Sequence, residues 1–312
     1  MVDIRPLTGA DLEAVVELRA AVWPDDISTP ESFAWVMAHT PADEHVERWV
    51  AADQGELIGF ASAGLAAWTT ERLGYVFGAV RPDRRGRGIG RRLFEAAETH
   101  LTPLAPERVR TGTERGDAAS AQFISRRGFV KGRAEQVWSV DPRSVPRSDF
   151  DQRVEAARAQ GLRLAPLREL LDRPEAIYEL THELERDVPE DAPVGQSYEA
   201  WRAHEFDVPL FSPDASFCLL TPEGLPVALA WMNLDLARNR GRNGLTGTLR
   251  PYRRRGLAHL VKLASLGWLA DHGVTVVYTD NDTTNRDMLA LNERLGYQPM
   301  TIFDFWSRSA FQ

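Results

Sequence analysis

A single cysteine, Cys218, stands among 312 residues. That excludes an intrachain disulfide and a cysteine zinc cluster, and it fits a reducing, cytoplasmic setting. No run approaches the roughly 18 apolar residues of a membrane span, and the start from Met1 to Pro6 lacks the basic and apolar regions of a secretory signal. Excess positive charge is missing too. Lys and Arg number 37 against 45 Asp and Glu, a net charge of −8, which disfavours nucleic acid or an acidic membrane as partner and suits a small or cationic substrate. No His/Asp/Glu cluster has metal-ligand spacing and no Gly-x-Ser-x-Gly elbow is present, so no metal is expected and a serine hydrolase loses support. The remaining composition, 43 % hydrophobic and 26 % charged, is that of ordinary globular protein, and the length leaves room for two domains.

Laid on itself with a shift of 168 residues, the chain repeats without a gap from Arg85 to Trp138. Arg85, Arg87 and Gly88 fall on Arg253, Arg255 and Gly256; Thr111 falls on Thr279; Arg126 and Gly128 fall on Arg294 and Gly296; Trp138 falls on Trp306. Ile89/Leu257, Gly90/Ala258 and Phe129/Tyr297 are conservative pairs. Two copies of one domain are therefore expected, residues 1–145 and 146–312, with a break in the proline-containing stretch between Asp141 and Gly161. Each copy reads as an early helix (Asp11 to Trp23; Arg168 to Arg186), a strand pair (Trp49 to Ala52 with Leu57 to Ala66; Ser216 to Leu220 with Pro226 to Leu234) and a third strand (Leu73 to Val80; Gly244 to Leu249). An Arg/Gly loop, a helix (Ile89 to Leu101; Leu257 to Asp271), and a strand, helix and strand complete it. This order predicts an α/β domain whose mixed sheet is covered by helices on both faces.

The densest chemical signal runs from Val80 to Leu93, where a strand stops at Pro82, Gly86, Gly88 and Gly90 alternate, and an amphipathic helix starts at Ile89. Glycines let backbone N–H groups converge on a phosphate, and the helix dipole adds about half a positive charge at that end. The Rossmann fingerprint needs Gly-x-Gly-x-x-Gly and a P-loop needs Gly-Lys-Ser/Thr, and neither is present. A solvated basic turn is the bland alternative, weakened by the recurrence of the loop in the second copy.

The form Arg85-Gly86-Arg87-Gly88-Ile89-Gly90, met again as Arg253-Arg254-Arg255-Gly256-Leu257-Ala258, resembles the acyl-CoA pyrophosphate loop of the GNAT N-acetyltransferase superfamily. Ala118 to Phe129 and Asn285 to Tyr297 are similar to that family's closing helix with its Gly-aromatic end. The resemblance covers most of both copies and implies two tandem domains, each a splayed mixed sheet. It implies acetyl-CoA as cofactor, with a pantetheine arm paired to backbone near Gly78, Ala79 and Val80 or near Thr246, Gly247 and Thr248. In the second copy Asn281, Asn285 and Asn292 stand where family members touch the cofactor, whereas the first has Asp117 and Ile124 at the positions of Asn285 and Asn292. Neither copy has the Tyr that protonates the leaving thiolate in many members.

The harder step is removing a proton from an amine of pKa near 10.4, which is neutral about once in several thousand molecules at pH 7. A carboxylate is the usual solution. Asp235, Asp280 and Asp282 are candidates in the second copy, Glu114 in the first, each with a solvated loop carboxylate as the alternative; His45, His182 and His204 are weaker bases. The expectation is acetyl transfer from acetyl-CoA to a primary amine of a small molecule in the C-terminal copy, with Asp235, Asp282 and Asn292 at the chemistry. A mycothiol-synthase-like acetyltransferase and a non-catalytic acyl-CoA sensor or scaffold are the alternatives, and a nucleic-acid module is a distant third.

Overall fold

The computed structural model describes residues 2–309. The first copy supplies β1 (Asp3–Pro6), α1 (Leu12–Val22), α2 (Pro30–His39), β2 (Glu47–Asp53), β3 (Glu56–Leu65), β4 (Leu73–Val80), α3 (Ile89–Leu101), β5 (Arg108–Glu114), α4 (Ala118–Ser125) and β6 (Val130–Val140). The second supplies α5 (Phe150–Arg158), β7 (Arg163–Pro166), α6 (Pro174–Glu185), α7 (Tyr198–Trp201), β8 (Phe217–Leu220), β9 (Pro226–Asp235), β10 (Arg240–Thr248), α8 (Leu257–Asp271), β11 (Val276–Asp282), α9 (Arg286–Arg294) and β12 (Gln298–Ser309). The expected spans of β4, α3 and α8 coincide with the observed ones. Helix α2 was not expected: Thr29 and Ser32 form a reciprocal capping box around Pro30 at the first helical position.

Contacts divide the chain into two units that are not contiguous in sequence. The first comprises residues to Ala134 with Asp191–Val208 and the chain from Ile302; the second comprises Glu135–Glu190 and Pro209–Thr301. The expected linear division at 145/146 does not coincide with them, because the closing strands are exchanged. In the first unit the strand order is β1-β2-β3-β4-β5-β12, and β5 pairs with Phe303–Ser309, from the end of the second copy. In the second unit the order is β6-β11-β10-β9-β8-β7, and β11 pairs with Glu135–Val140, from the end of the first copy.

Each unit's sheet is mixed: antiparallel throughout except for one parallel contact, β4 with β5 and β10 with β11. That contact lasts three residues, Leu73–Tyr75 against Arg108–Arg110 and Arg240–Arg242 against Val276–Tyr278, after which the strands diverge. Helices α1 and α2 cover one face of the first sheet through Val15, Val16, Phe33, Val50 and Phe60. Helices α3 and α4 cover the other through Val76, Phe94, Ala97, Val109 and Ile124. The core of the second unit centres on α8, with Leu260, Val261, Leu263 and Leu266 against Ala228, Ala230 and Val277.

Candidate active site

Divergence of β4 from β5 opens a cleft of about 540 Å³ in the first unit, and a cleft of about 390 Å³ lies beside the corresponding loop of the second. The walls of the first are Val76, Gly78, Ala79 and Val80 on β4, Thr111–Glu114 on β5, the loop around Gly86 and Gly88, α3, α4, Phe303, and Trp23 and Phe60 at the α1 face. Both diverging strands therefore bound the space. The Ala66 N–H donates to the Leu73 carbonyl and the Arg81 N–H to the Ile58 carbonyl, so Tyr75, Phe77 and Ala79 are the residues hydrogen-bonded to β3. By alternation Val76, Gly78 and Val80 turn their N–H and C=O groups into the gap. Of the three backbone positions expected to meet a pantetheine arm, Gly78 and Val80 face the gap and Ala79 is committed to β3.

At the open end of the cleft Gly86 and Gly88 have φ of 75° and 77°, and nothing lies within 4 Å of a Cβ placed on either. A side chain there would fill the cradle formed with the first-turn amides of α3, which have no intrahelical acceptor. The arginines around the loop divide in role. Arg81 and Arg84 bind Glu56 and Asp83, and Arg85 bonds the Val80 carbonyl at 3.1 Å and Asp117 at 3.2 Å, so these three hold the turn together. Arg87 is exposed and has no partner among the described residues. Asp117 caps α4 through the Ser120 amide at 3.0 Å.

The second unit repeats the loop with changes. Arg253 bonds the Thr248 carbonyl at 2.9 Å as Arg85 does Val80, Gly256 has φ 74°, and Arg254 takes the left-handed conformation of Gly86 at φ 63° with its side chain toward Asp287 at 3.4 Å. Leu257 and Ala258 open α8, and Arg255 turns back to the Pro251 carbonyl. The Asp187 carboxylate lies in the wall between Arg250 and Arg253, which lower its pKa to about 2. His259 is also in this wall, its pKa pushed down to about 4 by burial and then by Arg153.

This cleft is about 390 Å³ and no residue of β11 lines it. Side chains bridge the gap instead: Arg242 pairs with Asp280, and Thr279 Oγ1 donates to the Asn243 carbonyl at 3.1 Å beside a bulge at Gly244 and Leu245. The Lys262 ammonium is fully buried, donates to Asn292 Oδ1 at 2.6 Å and lies 4.7 Å from the centre of the Tyr297 ring; Asn292 Nδ2 donates to Asn281 Oδ1 at 2.6 Å. Burial lowers the Lys262 pKa to about 7. Leu184 packs against Gly247, where a Cβ would come within 2.9 Å of its methyls. Thr246 and Thr248 face the gap, and Gly247 is paired to Leu229.

The structure does not bring the three expected catalytic residues into this cleft. Asp235 lies at the far end of β9, paired with Arg240 at 2.8 Å and accepting from the Arg238 amide at 3.2 Å. Asp282 closes a turn with the Thr284 amide at 2.8 Å. Asn292 is enclosed in the lysine chain. Asn285 lines the cleft and caps α9 through the Met288 amide at 3.3 Å, while Asn281 stops at its bond to Asn292. In the first unit Glu114 is exposed in the cleft wall. His204 is bonded to Glu44 at 2.6 Å, His182 stacks on Tyr178, and His45 accepts at its carbonyl from His100. Lys262 was not anticipated, although the 168-residue shift sets it against Phe94 and so marks a charge at a core position.

Residues 12–129 match the family model for the acetyltransferase (GNAT) family. No curated protein sequence matches the chain. Among solved structures, a tandem GNAT protein from the clavulanic acid biosynthesis pathway aligns with 100 % of this chain and 99 % of its own, with a TM-score of 0.73 and 19 % identity. A GNAT-type N-acetyltransferase of Sphaerobacter thermophilus covers 99 % and 95 %, with a TM-score of 0.69 and 21 % identity. A putative acetyltransferase of Pyrococcus horikoshii covers 99 % and 90 %, with a TM-score of 0.61 and 13 % identity. Residues 12–129 thus carry the sequence pattern of the GNAT acetyltransferases, and the chain as a whole has the tandem GNAT fold.

Proposed function

We propose that the protein transfers an acetyl group from acetyl-CoA to a primary amine of a small molecule, and that the transfer takes place in the first unit. One observation carries the choice of unit: its cleft is bounded by both diverging strands and runs from the glycine loop to the α1 face, whereas the corresponding gap in the second unit is bridged by Arg242–Asp280 and Thr279–Asn243. This departs from the sequence-based expectation of C-terminal catalysis. The second unit is read as a cofactor-binding or structural copy.

The residues of the first cleft fit acyl-CoA. Gly86, Gly88 and the first amides of α3 would hold the pyrophosphate, and the gap-facing amide and carbonyl of Gly78 and the amide of Val80 would hold the arm. Acyl-CoA bound there supplies an already activated acyl group. The Gly78 and Val76 amides donate into a gap walled by Leu93, Phe94 and Ile124, where a hydrogen bond is worth more than in water. Glu114 is the carboxylate in the wall suited to take a proton from the incoming ammonium.

Paired substitutions test the assignment. Gly88→Glu places a carboxylate in the phosphate cradle and forces a left-handed conformation costing about 1–2 kcal/mol; Gly256→Glu does the same in the second unit. CoA release should fall at least tenfold in the first variant and stay within twofold in the second. The reverse pattern would return the chemistry to the C-terminal copy, and saturable acetyl-CoA binding without CoA release on any amine would favour a sensor.

A further inference from the structure

On the α1 face of the first sheet lies a cation that is in direct contact with no counter-ion among the described residues, although Tyr75, Glu44 and Glu47 act on it from farther away. Arg48, on β2, is half-buried, and its guanidinium makes no hydrogen bond or ion pair among the described residues. The acids around it are engaged elsewhere: Glu44 holds His204 at 2.6 Å, and Asp26 holds Arg19 at 2.7 Å and the Ser28 amide at 2.9 Å. Glu47 is exposed. Burial, with Arg19 adding to it, lowers the Arg48 pKa, as expected of a desolvated charge without full compensation.

The surroundings of Arg48 are aromatic and lead to the cleft. Its guanidinium carbon is 5.8 Å from the centre of the Phe33 ring, Phe33 meets Phe60 edge-on at 5.9 Å, and Phe60 and Trp23 form the inner wall of the cleft. Register places Arg48 opposite Ser62 and Ser62 opposite Phe77, so the three form one row on one face of the sheet. Phe77 stands on β4, and two strand spacings put its backbone roughly 10 Å from that of Arg48. A ligand reaching from Trp23 and Phe60 in the cleft wall to Arg48 would pass along Phe33, with Ser62 in the row of the sheet between.

Resting on the reading of the first unit as the transferase, we propose that Arg48 receives a carboxylate of the acceptor, so that the substrate class is an amine-bearing carboxylic acid with an apolar or aromatic body. A planar guanidinium pairs with a carboxylate through two parallel hydrogen bonds, and such a pair discriminates sharply against a neutral carboxamide.

The site is tested first by binding, with no dependence on turnover. The full-length protein, with and without CoA, is titrated with phenylacetate, phenylacetamide and phenethylamine while tryptophan fluorescence is followed. Saturable binding of phenylacetate, at least tenfold tighter than that of phenylacetamide, is expected; Arg48→Gln should abolish the difference and Arg48→Lys should keep part of it, with circular dichroism confirming that each variant folds. Equal binding of acid and amide, unchanged discrimination in Arg48→Gln, or no saturable phenylacetate binding overturns the proposal. CoA release with L-phenylalanine and L-phenylalaninamide then separates the two readings. Turnover of both at equal kcat/KM refutes the role of Arg48 and leaves the transferase standing. Specific phenylacetate binding with no CoA release from any amine refutes the transferase and leaves Arg48 as a carboxylate site.

Discussion

Replacing Lys262 by Met should make the protein more stable at pH 6 and confer no advantage near pH 9. The lysine occupies the position of Phe94 in the repeat, and its neighbours Asn292 and Tyr297 replace Ile124 and Phe129, which in the first unit form one apolar cluster. Its ammonium is fully buried, and burial moves its pKa from 10.5 to about 7. At 1.36 kcal/mol per pH unit the fall corresponds to about 5 kcal/mol by which the charged form is disfavoured in the fold. Methionine has a similar length and no charge, but it leaves Asn292 Oδ1 without its donor, at about 1–3 kcal/mol. The variant should therefore gain about 2–4 kcal/mol at pH 6, where the lysine is charged both folded and unfolded.

Between pH 7 and 10.5 the unfolded chain holds this proton and the folded chain does not, so wild-type stability rises with pH. By pH 9 about 2 kcal/mol of the penalty remains, and the two proteins should unfold together. Urea unfolding followed by tryptophan fluorescence at pH 6, 7.5 and 9 reads the difference directly. A variant less stable at pH 6, or a difference that does not change with pH, would refute the argument and show that the hydrogen bond and the ring contact outweigh the buried charge.

Gly112→Ala would bring a methyl within 2.0 Å of the Phe303 ring, so the ring must swing from the cleft wall; a loss of about 1–3 kcal/mol in thermal unfolding is expected, with weaker acetyl-CoA binding measured by calorimetry. Cys218 is buried and its pKa is pushed up to about 12 by burial, so a disulfide-exchange reagent at pH 8 should label it only after unfolding in urea.

Much of the fold was legible in the chain because its signals are local. Gly88 and Gly256 stop a turn and start a helix, and the apolar spacing that follows marks α3 and α8. The same logic would have found α2, since Thr29-Pro30-Glu31-Ser32 carries both a cap and an N-terminal proline. The partner of a strand is not a local property. Nothing in the pattern of β12 says that Phe303–Ser309 lies beside β5, or that Asp191–Val208 belongs with the first unit. The candidate site divides along the same line. The glycine turn depends on consecutive backbone geometry and was readable, whereas Asp235 and Asp282 were chosen by residue type and are held in other bonds. Arg48 could not be singled out at all, because what distinguishes it is the lack of a partner in space.

The exchanged strands also bear on how the chain is made. The edge of β5 is complete only when Phe303–Ser309 arrives, about 195 residues after Glu114 has been added. At roughly 5–20 residues per second the ribosome takes about 10–40 s to cover that distance. Through that interval the nascent first unit presents an unpaired strand edge to every neighbouring chain on the polysome, a template for misjoining two copies. Anything that slows elongation over the second half therefore lengthens the exposure of the first.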